Sequence, residues 1–281
     1  MTVLIAGCGD LGTEAGLRFA FRGHRVVGWR RSPDKLPRQI EGVEADLGGT
    51  LPTIPEDTAV VVIATAAGER TEAAYRAAYV DGTANVLDAL ERDGVEPARI
   101  LFVSSTAVYG DAHGGSVDEQ TPAEPASATG RVVREAEQLL LARSAAGVVL
   151  RLSGIYGPGR TRLIDQVTSG TAVRPAEPQW TNRIHRDDAA AAIVHLASLD
   201  GPVAPVYLGS DLLPVDLGEV LLFLAQELDL PEPPSGETST TRGGDKRCDS
   251  TLLRSTGFDF TFPTYREGYR SVLAGRGRRH G

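Results

Sequence analysis

Thr2-Val3-Leu4-Ile5-Ala6-Gly7-Cys8-Gly9-Asp10-Leu11-Gly12 joins a short apolar run to glycines at 7, 9 and 12, directly ahead of an amphipathic stretch from Leu11 to Arg22. Strand, glycine turn and helix in that order form the first half of a βαβ unit. Without side chains, the turn lets a diphosphate approach the backbone at a helix N-terminus, where free N–H groups and the helix dipole favour an anion. Gly7, Gly9, Asp10, Leu11 and Gly12 are therefore the expected diphosphate contacts of a dinucleotide site. A tight structural turn alone would not need three glycines at this spacing.

Further strands are expected at Arg25–Trp29, Val43–Ala45, Ala59–Thr65, Ile100–Ser104 and Val148–Leu152, most of them near-continuous apolar runs. Such runs suit parallel strands covered on both faces. Thr71–Arg92 and Ala128–Ser144 carry apolar residues at three-to-four spacing and read as covering helices. The fold class is thus α/β, a Rossmann-type doubly wound parallel sheet. Residues 1–157 form the expected nucleotide domain. Residues 158–281 form a smaller C-terminal substrate lobe with helices at Arg186–Leu199 and Leu217–Leu228, some segments of it returning to the sheet. The stretch Pro231–Asp249, rich in Pro, Gly, Ser and Thr, reads as a mobile loop.

The second strand ends in Trp29-Arg30-Arg31-Ser32. Sites that select NAD usually carry an acid here for the ribose hydroxyls; paired guanidiniums instead suit a 2′-phosphate, so NADP(H) is expected over NAD(H). Asp46 and Leu47 after the third strand, Ala64 and Thr65 at the end of the fourth, and Ser104 at the end of the fifth fall on the same C-terminal edge, and are further cofactor candidates.

A formal net charge of −8 argues against a nucleic-acid partner, which needs clustered cations. Arg276, Arg278, Arg279 and His280 form a basic run that reads as a solvated tail. Cys8 and Cys248 have no metal-ligand spacing and suggest no disulfide framework. No apolar run is long enough to span a bilayer, and the opening one reads as a strand rather than a signal peptide, so a cytoplasmic setting is expected. The oligomeric state is left open.

Val103-Ser104-Ser105-Thr106-Ala107-Val108-Tyr109-Gly110, Glu119-Gln120-Thr121-Pro122, Gly154-Ile155-Tyr156-Gly157-Pro158-Gly159 and Asn182-Arg183-Ile184-His185-Arg186-Asp187-Asp188 follow one another along the chain. Together they resemble the extended short-chain dehydrogenases, the sugar-nucleotide epimerases and dehydratases. The resemblance implies a small-molecule substrate with a carbonyl or alcohol facing the nicotinamide. It also implies a Ser or Thr, a Tyr and a Lys as catalytic groups. Ser105 matches the first, but Thr129 and Val133 stand in the places of the other two. The glycine motif departs as well, with Ala6 where that family usually has glycine. An atypical branch, keeping the fold without the catalytic pair, is the implied placement.

A ketone that accepts hydride becomes an alkoxide and needs a proton, which neither threonine nor valine supplies near neutrality. The leading expectation is an NADPH-dependent ketoreductase in which cofactor positioning supplies most of the catalysis. Ser105 and Thr106 polarise the carbonyl, and the proton comes from an acidic hydroxyl on the substrate or from a non-standard acid. Tyr109, His113 and Tyr156 are the protein candidates for that acid. A non-enzymatic NADP(H) sensor is the alternative, and a sugar-nucleotide epimerase or dehydratase the third. His185, Asp187 and Asp188 precede a helix, where an aspartate cap is the expectation rather than a metal cluster.

Overall fold

The computed structural model describes residues 1–237 and 244–281. Its centre is a seven-stranded parallel sheet: β1 Thr2–Ala6, β2 Arg25–Arg30, β3 Glu41–Glu44, β4 Thr58–Ile63, β5 Arg99–Ser105, β6 Gly147–Leu152 and β7 Val206–Gly209. The spatial order is β7-β6-β5-β4-β1-β2-β3, with the chain winding outward both ways from β1 and β4. Alternation along β1 sends Val3 and Ile5 to one face and Leu4 and Ala6 to the other. The first pair joins Phe19, Val26 and Ile193, the second Val27, Trp29, Leu90 and Phe102. Burial on both faces is why the strands read as unbroken apolar runs.

Helix α1, Asp10–Phe21, begins where the glycine loop ends. The long amphipathic stretch is interrupted: a helical turn at Glu72–Tyr75 passes through a π-helical segment at Arg76–Asp81 into α2, Gly82–Asp93. This widened turn carries Ala77 and Ala78 to the wall of the cavity described below, as π-segments often do beside functional sites. The third strand lies two residues earlier than its apolar residues suggest. It is an exposed edge, so hydrogen bonding to β2, from Val27 with Glu41 to Arg30 with Glu44, sets its register.

After α3, Ala128–Arg143, and β6, the chain crosses to a smaller cluster built on α4, Arg162–Thr168; α6, Leu217–Glu227; and α7, Tyr265–Leu273. Tyr156, Val220, Leu224, Tyr265 and Tyr269 form its core. Two segments return to the sheet. Helix α5, Arg186–Ala197, covers the face shared with α1, and β7 pairs with β6. Strand β7, four residues between Pro205 and Ser210, was not foreseen. The flanks of the stretch expected to be a mobile loop are tied by backbone pairing, Ser235–Gly236 to Arg174–Pro175 and Arg247–Cys248 to Ser116–Val117; residues 238–243 lie outside those described. Among the described residues no helix is long and apolar enough to cross a membrane.

Candidate functional site

Gly7 holds φ +83°, a left-handed conformation, and a Cβ there would stand 2.9 Å from the Ala64 carbonyl oxygen. Glycine is needed at this point so that the loop can press on the end of β4. Gly9 differs. It is the N-cap of α1 in an ordinary extended conformation, makes no side-chain cap, and a Cβ on it would meet nothing nearer than 4.0 Å. The first turn of a twelve-residue helix thus faces open space with its N–H groups uncapped by any side chain, a cradle suited to a diphosphate. Leu11 packs in the core, so only its backbone is available to a ligand.

From this cradle a cavity of about 630 Å³ runs toward the ends of β2 and β3. Gly7, Gly9, Arg30, Arg31, Asp46, Leu47, Ala64 and Thr65, all expected cofactor contacts, line it together. Lys35, from the short turn after β2, is a third cation on the same wall and escaped the sequence reading, which stopped at Ser32. Asp46 accepts the backbone N–H of Gly48 at 3.1 Å and so shapes the turn at that end of the cavity. The glycine loop, the uncapped helix and the cations fit a nicotinamide dinucleotide.

Asp10 extends the site toward the lobe. Its carboxylate, nearly buried, accepts from Arg160 Nε at 2.8 Å and from Arg186 Nη1 at 2.9 Å, so two cations offset an acid at the helix N-terminus. Arg160 also lines an open cleft with Ile155, Arg162 and Asp165, which places it between the nucleotide cavity and the lobe.

At the end of β5 the neighbouring serines part ways. Ser105 is half-buried and accepts the N–H of Ala107 at 3.2 Å, and among the described residues its own O–H donates to no partner. Ser104 donates into the core, at 2.5 Å to Glu137. Glu137 is completely buried on α3 and also accepts a forked pair from Arg151, at 2.9 and 2.8 Å, and one bond from Arg134 at 2.8 Å. Arg151 donates to the Tyr109 hydroxyl at 2.9 Å, and that hydroxyl donates to the Asp118 carbonyl at 2.6 Å. Ser104 and Tyr109 are members of this brace, and burial pushes the Tyr109 phenol up to about 12.

Tyr156 is likewise buried, stacked near Tyr269 in the lobe core, its hydroxyl against α7 at Gly268, and burial raises its pKa. Both phenols expected to serve as acids are therefore buried, and neither lines the cavity. His113 stands exposed on a turn with φ +48°. Thr106 is nearly buried, at 9% exposure. Val133 sits in an apolar cluster with Val108, Tyr109, Val117, Leu208 and Cys248. Lys246, which the sequence did not single out, reaches the far side of this turn, 2% exposed, donating to the Gly110 carbonyl at a long 3.4 Å; burial depresses its pKa.

His185 itself caps α5: its Nδ1 accepts the N–H of Asp187 at 3.2 Å, while Asp188 turns away to accept the N–H groups of Thr261 and Phe262. The cap falls where expected but comes from the imidazole, not an aspartate. Burial holds that imidazole down at about 4, against 6.5 unfolded. The stability this provides is present above pH 6.5 and lost as pH falls toward 4, a span worth roughly 3 kcal/mol. Urea unfolding between pH 4 and 7 should therefore gain less stability with rising pH in His185→Asn, which keeps a capping side chain, than in the parent chain, the difference between the two isolating this imidazole.

A solved protein from Methylobacillus flagellatus, provisionally assigned as an NAD-dependent epimerase/dehydratase, superposes with a TM-score of 0.79 at 36% identity, covering 98% of each chain. Protein YeeZ of Escherichia coli K12 is 28% identical over 278 residues, 93% of this chain and 96% of its own. The 3-diazoavenalumate denitrifying reductase of a Streptomyces species is 27% identical, over 95% of this chain and 99% of its own. The family model described as NAD dependent epimerase/dehydratase matches residues 3–207, which span the glycine loop, the cation-lined cavity and all seven strands of the sheet as far as Tyr207. The chain therefore belongs to the NAD dependent epimerase/dehydratase family, whose members bind a nicotinamide cofactor.

Proposed function

We propose that this protein is an NADPH-dependent reductase of a small electrophilic substrate, most simply a ketone flanked by an acidic hydroxyl. The observation that carries the reading is the cation-lined cavity running from the uncapped α1 N-terminus to Arg30, Arg31 and Lys35. Bound there, the nicotinamide supplies a hydride. The first turn of α1 holds the diphosphate, Arg30 and Arg31 pair with the 2′-phosphate, and Ser105 offers its free O–H to the oxygen that gains charge. Among the described residues no phenol hydrogen-bonds Ser105, so on this reading the substrate brings its own proton or spares the need for one. The Streptomyces relative, named as a denitrifying reductase of 3-diazoavenalumate, supports a reductase reading.

Titration with NADPH and NADH, followed by a ketone screen read by cofactor absorbance, tests the reading. Ketones with a neighbouring phenol should turn over and those without should not. Binding without turnover on every acceptor would favour a sensor, a reading that the apolar setting of Val133 supports. Substituting Arg30 and Arg31 with alanine should weaken NADPH by about 10-fold more than NADH, the size expected for a lost charge-assisted hydrogen bond. Equal losses would remove the argument for the phosphate.

A further inference from the structure

The basic run expected to be a solvated tail folds back along the cofactor site. Arg278 offers its carbonyl to Arg186 Nη2 at 2.8 Å, and Arg279 Nη1 donates to the Gly159 carbonyl at 2.9 Å. The His280 N–H donates to Asp10 at 3.1 Å, and its Nε2 meets Glu14 at 3.0 Å, a contact that helps hold the Glu14 carboxyl at about 2. The backbone oxygen of Gly281 accepts from Arg30 Nη1 at 2.6 Å. Asp10 opens α1 and Arg30 closes β2, so the segment spans the two elements between which the diphosphate and adenosine ribose belong.

We propose that residues 278–281 are a strap that competes with the 2′-phosphate for Arg30 and thereby sets how strongly the protein discriminates NADPH from NADH. The inference rests on the assignment of Arg30 to the 2′-phosphate made above. A phosphate that takes the Nη1 edge of the Arg30 guanidinium meets a donor already engaged at 2.6 Å and must displace Gly281 to use it. NADH, lacking that phosphate, has no such contest. His280 is the anchor, held from two sides by Asp10 and Glu14, and Arg160 and Arg186 keep Asp10 in place.

The test compares the full chain with His280→Ala and with a form lacking residues 278–281, measuring the affinity of each for NADPH and NADH by calorimetry. Changes common to both cofactors cancel in the ratio. Releasing Arg30 should raise the NADPH-to-NADH affinity ratio about 5-fold in both variants, a modest figure for a half-exposed charged hydrogen bond. A ratio that stays the same or falls overturns the strap. Limited trypsin cleavage after Arg278 and Arg279 gives a second readout, free of turnover. NADPH should hasten it and NADH should not, whereas protection by both would mean that the tail closes over the cofactor instead of yielding to it. Arg30→Ala in the strap-free form separates the two ideas: if it leaves the ratio unchanged, the 2′-phosphate assignment is what fails.

Discussion

Gly9→Val should lower the affinity for either nicotinamide cofactor by at least about 100-fold while the protein stays folded, because binding and folding ask different things of this residue. A valine fits the observed backbone at position 9, which is extended, and its Cβ would meet no protein atom within 4.0 Å. Its methyl groups would instead fill the space over the first turn of α1, where the diphosphate must come within hydrogen-bond distance of the backbone. The cost to the fold is that of a poorer N-cap, no more than about 1 kcal/mol. Gly7→Val is the contrasting variant. There the left-handed φ of +83° and the Ala64 carbonyl at 2.9 Å make any side chain a burden on the fold itself. Calorimetric titration alongside thermal unfolding reads both quantities. Tight cofactor binding by a folded Gly9→Val protein would refute the placement of the diphosphate.

Glu137→Leu should destabilise the protein by about 3 to 5 kcal/mol, the loss expected when one partner of a buried ion pair is removed and the other is left behind. Arg151 is 3% exposed at its side chain and sends two of its bonds to Glu137. With the carboxylate gone, that guanidinium keeps, among the described residues, only the Tyr109 hydroxyl. Adding Arg151→Met should recover most of the loss, since an apolar pair of similar volume can replace a buried ion pair at little cost. Urea unfolding of the parent, the single variant and the double variant measures the comparison. A single variant within 1 kcal/mol of the parent would show that the brace carries no weight. The brace matters to the site through position: it fixes Ser104 at the end of β5, and so where Ser105 presents its hydroxyl.

Much of the architecture was legible from residue types alone. Strands β1, β2, β4, β5 and β6 announce themselves because both of their faces are buried, which favours apolar residues at most positions, and the glycine spacing fixes where α1 begins. Strand β7 has four residues beside Pro205 and no pattern of its own; it exists because β6 leaves an unpaired edge for it to complete. The third strand slipped for a related reason, since an exposed edge takes its register from a neighbour rather than from burial.

The nucleotide half of the site followed the same logic. Eight of the residues expected to contact a nucleotide, all within the first 65, line one cavity, a convergence that their places at strand ends already implied, whereas Ser104 turns into the core. The catalytic half did not follow. Tyr109 and Tyr156 look like acids in a loop motif, but only packing reveals that one phenol braces Arg151 and the other lies beneath α7.

Chain order and side-chain chemistry by themselves determined the parallel α/β plan, the glycine turn that opens α1 and the cations near it, because each depends on residues close along the backbone. Tertiary structure alone decided that Glu137 neutralises Arg151, that Lys246 reaches the turn after Ser105, and that His280 lies on Asp10, 270 positions away. Each of those pairings brings a charged side chain to a partner whose place along the chain does not give its position in space, and the energy of a charge depends on what surrounds it once the chain has closed.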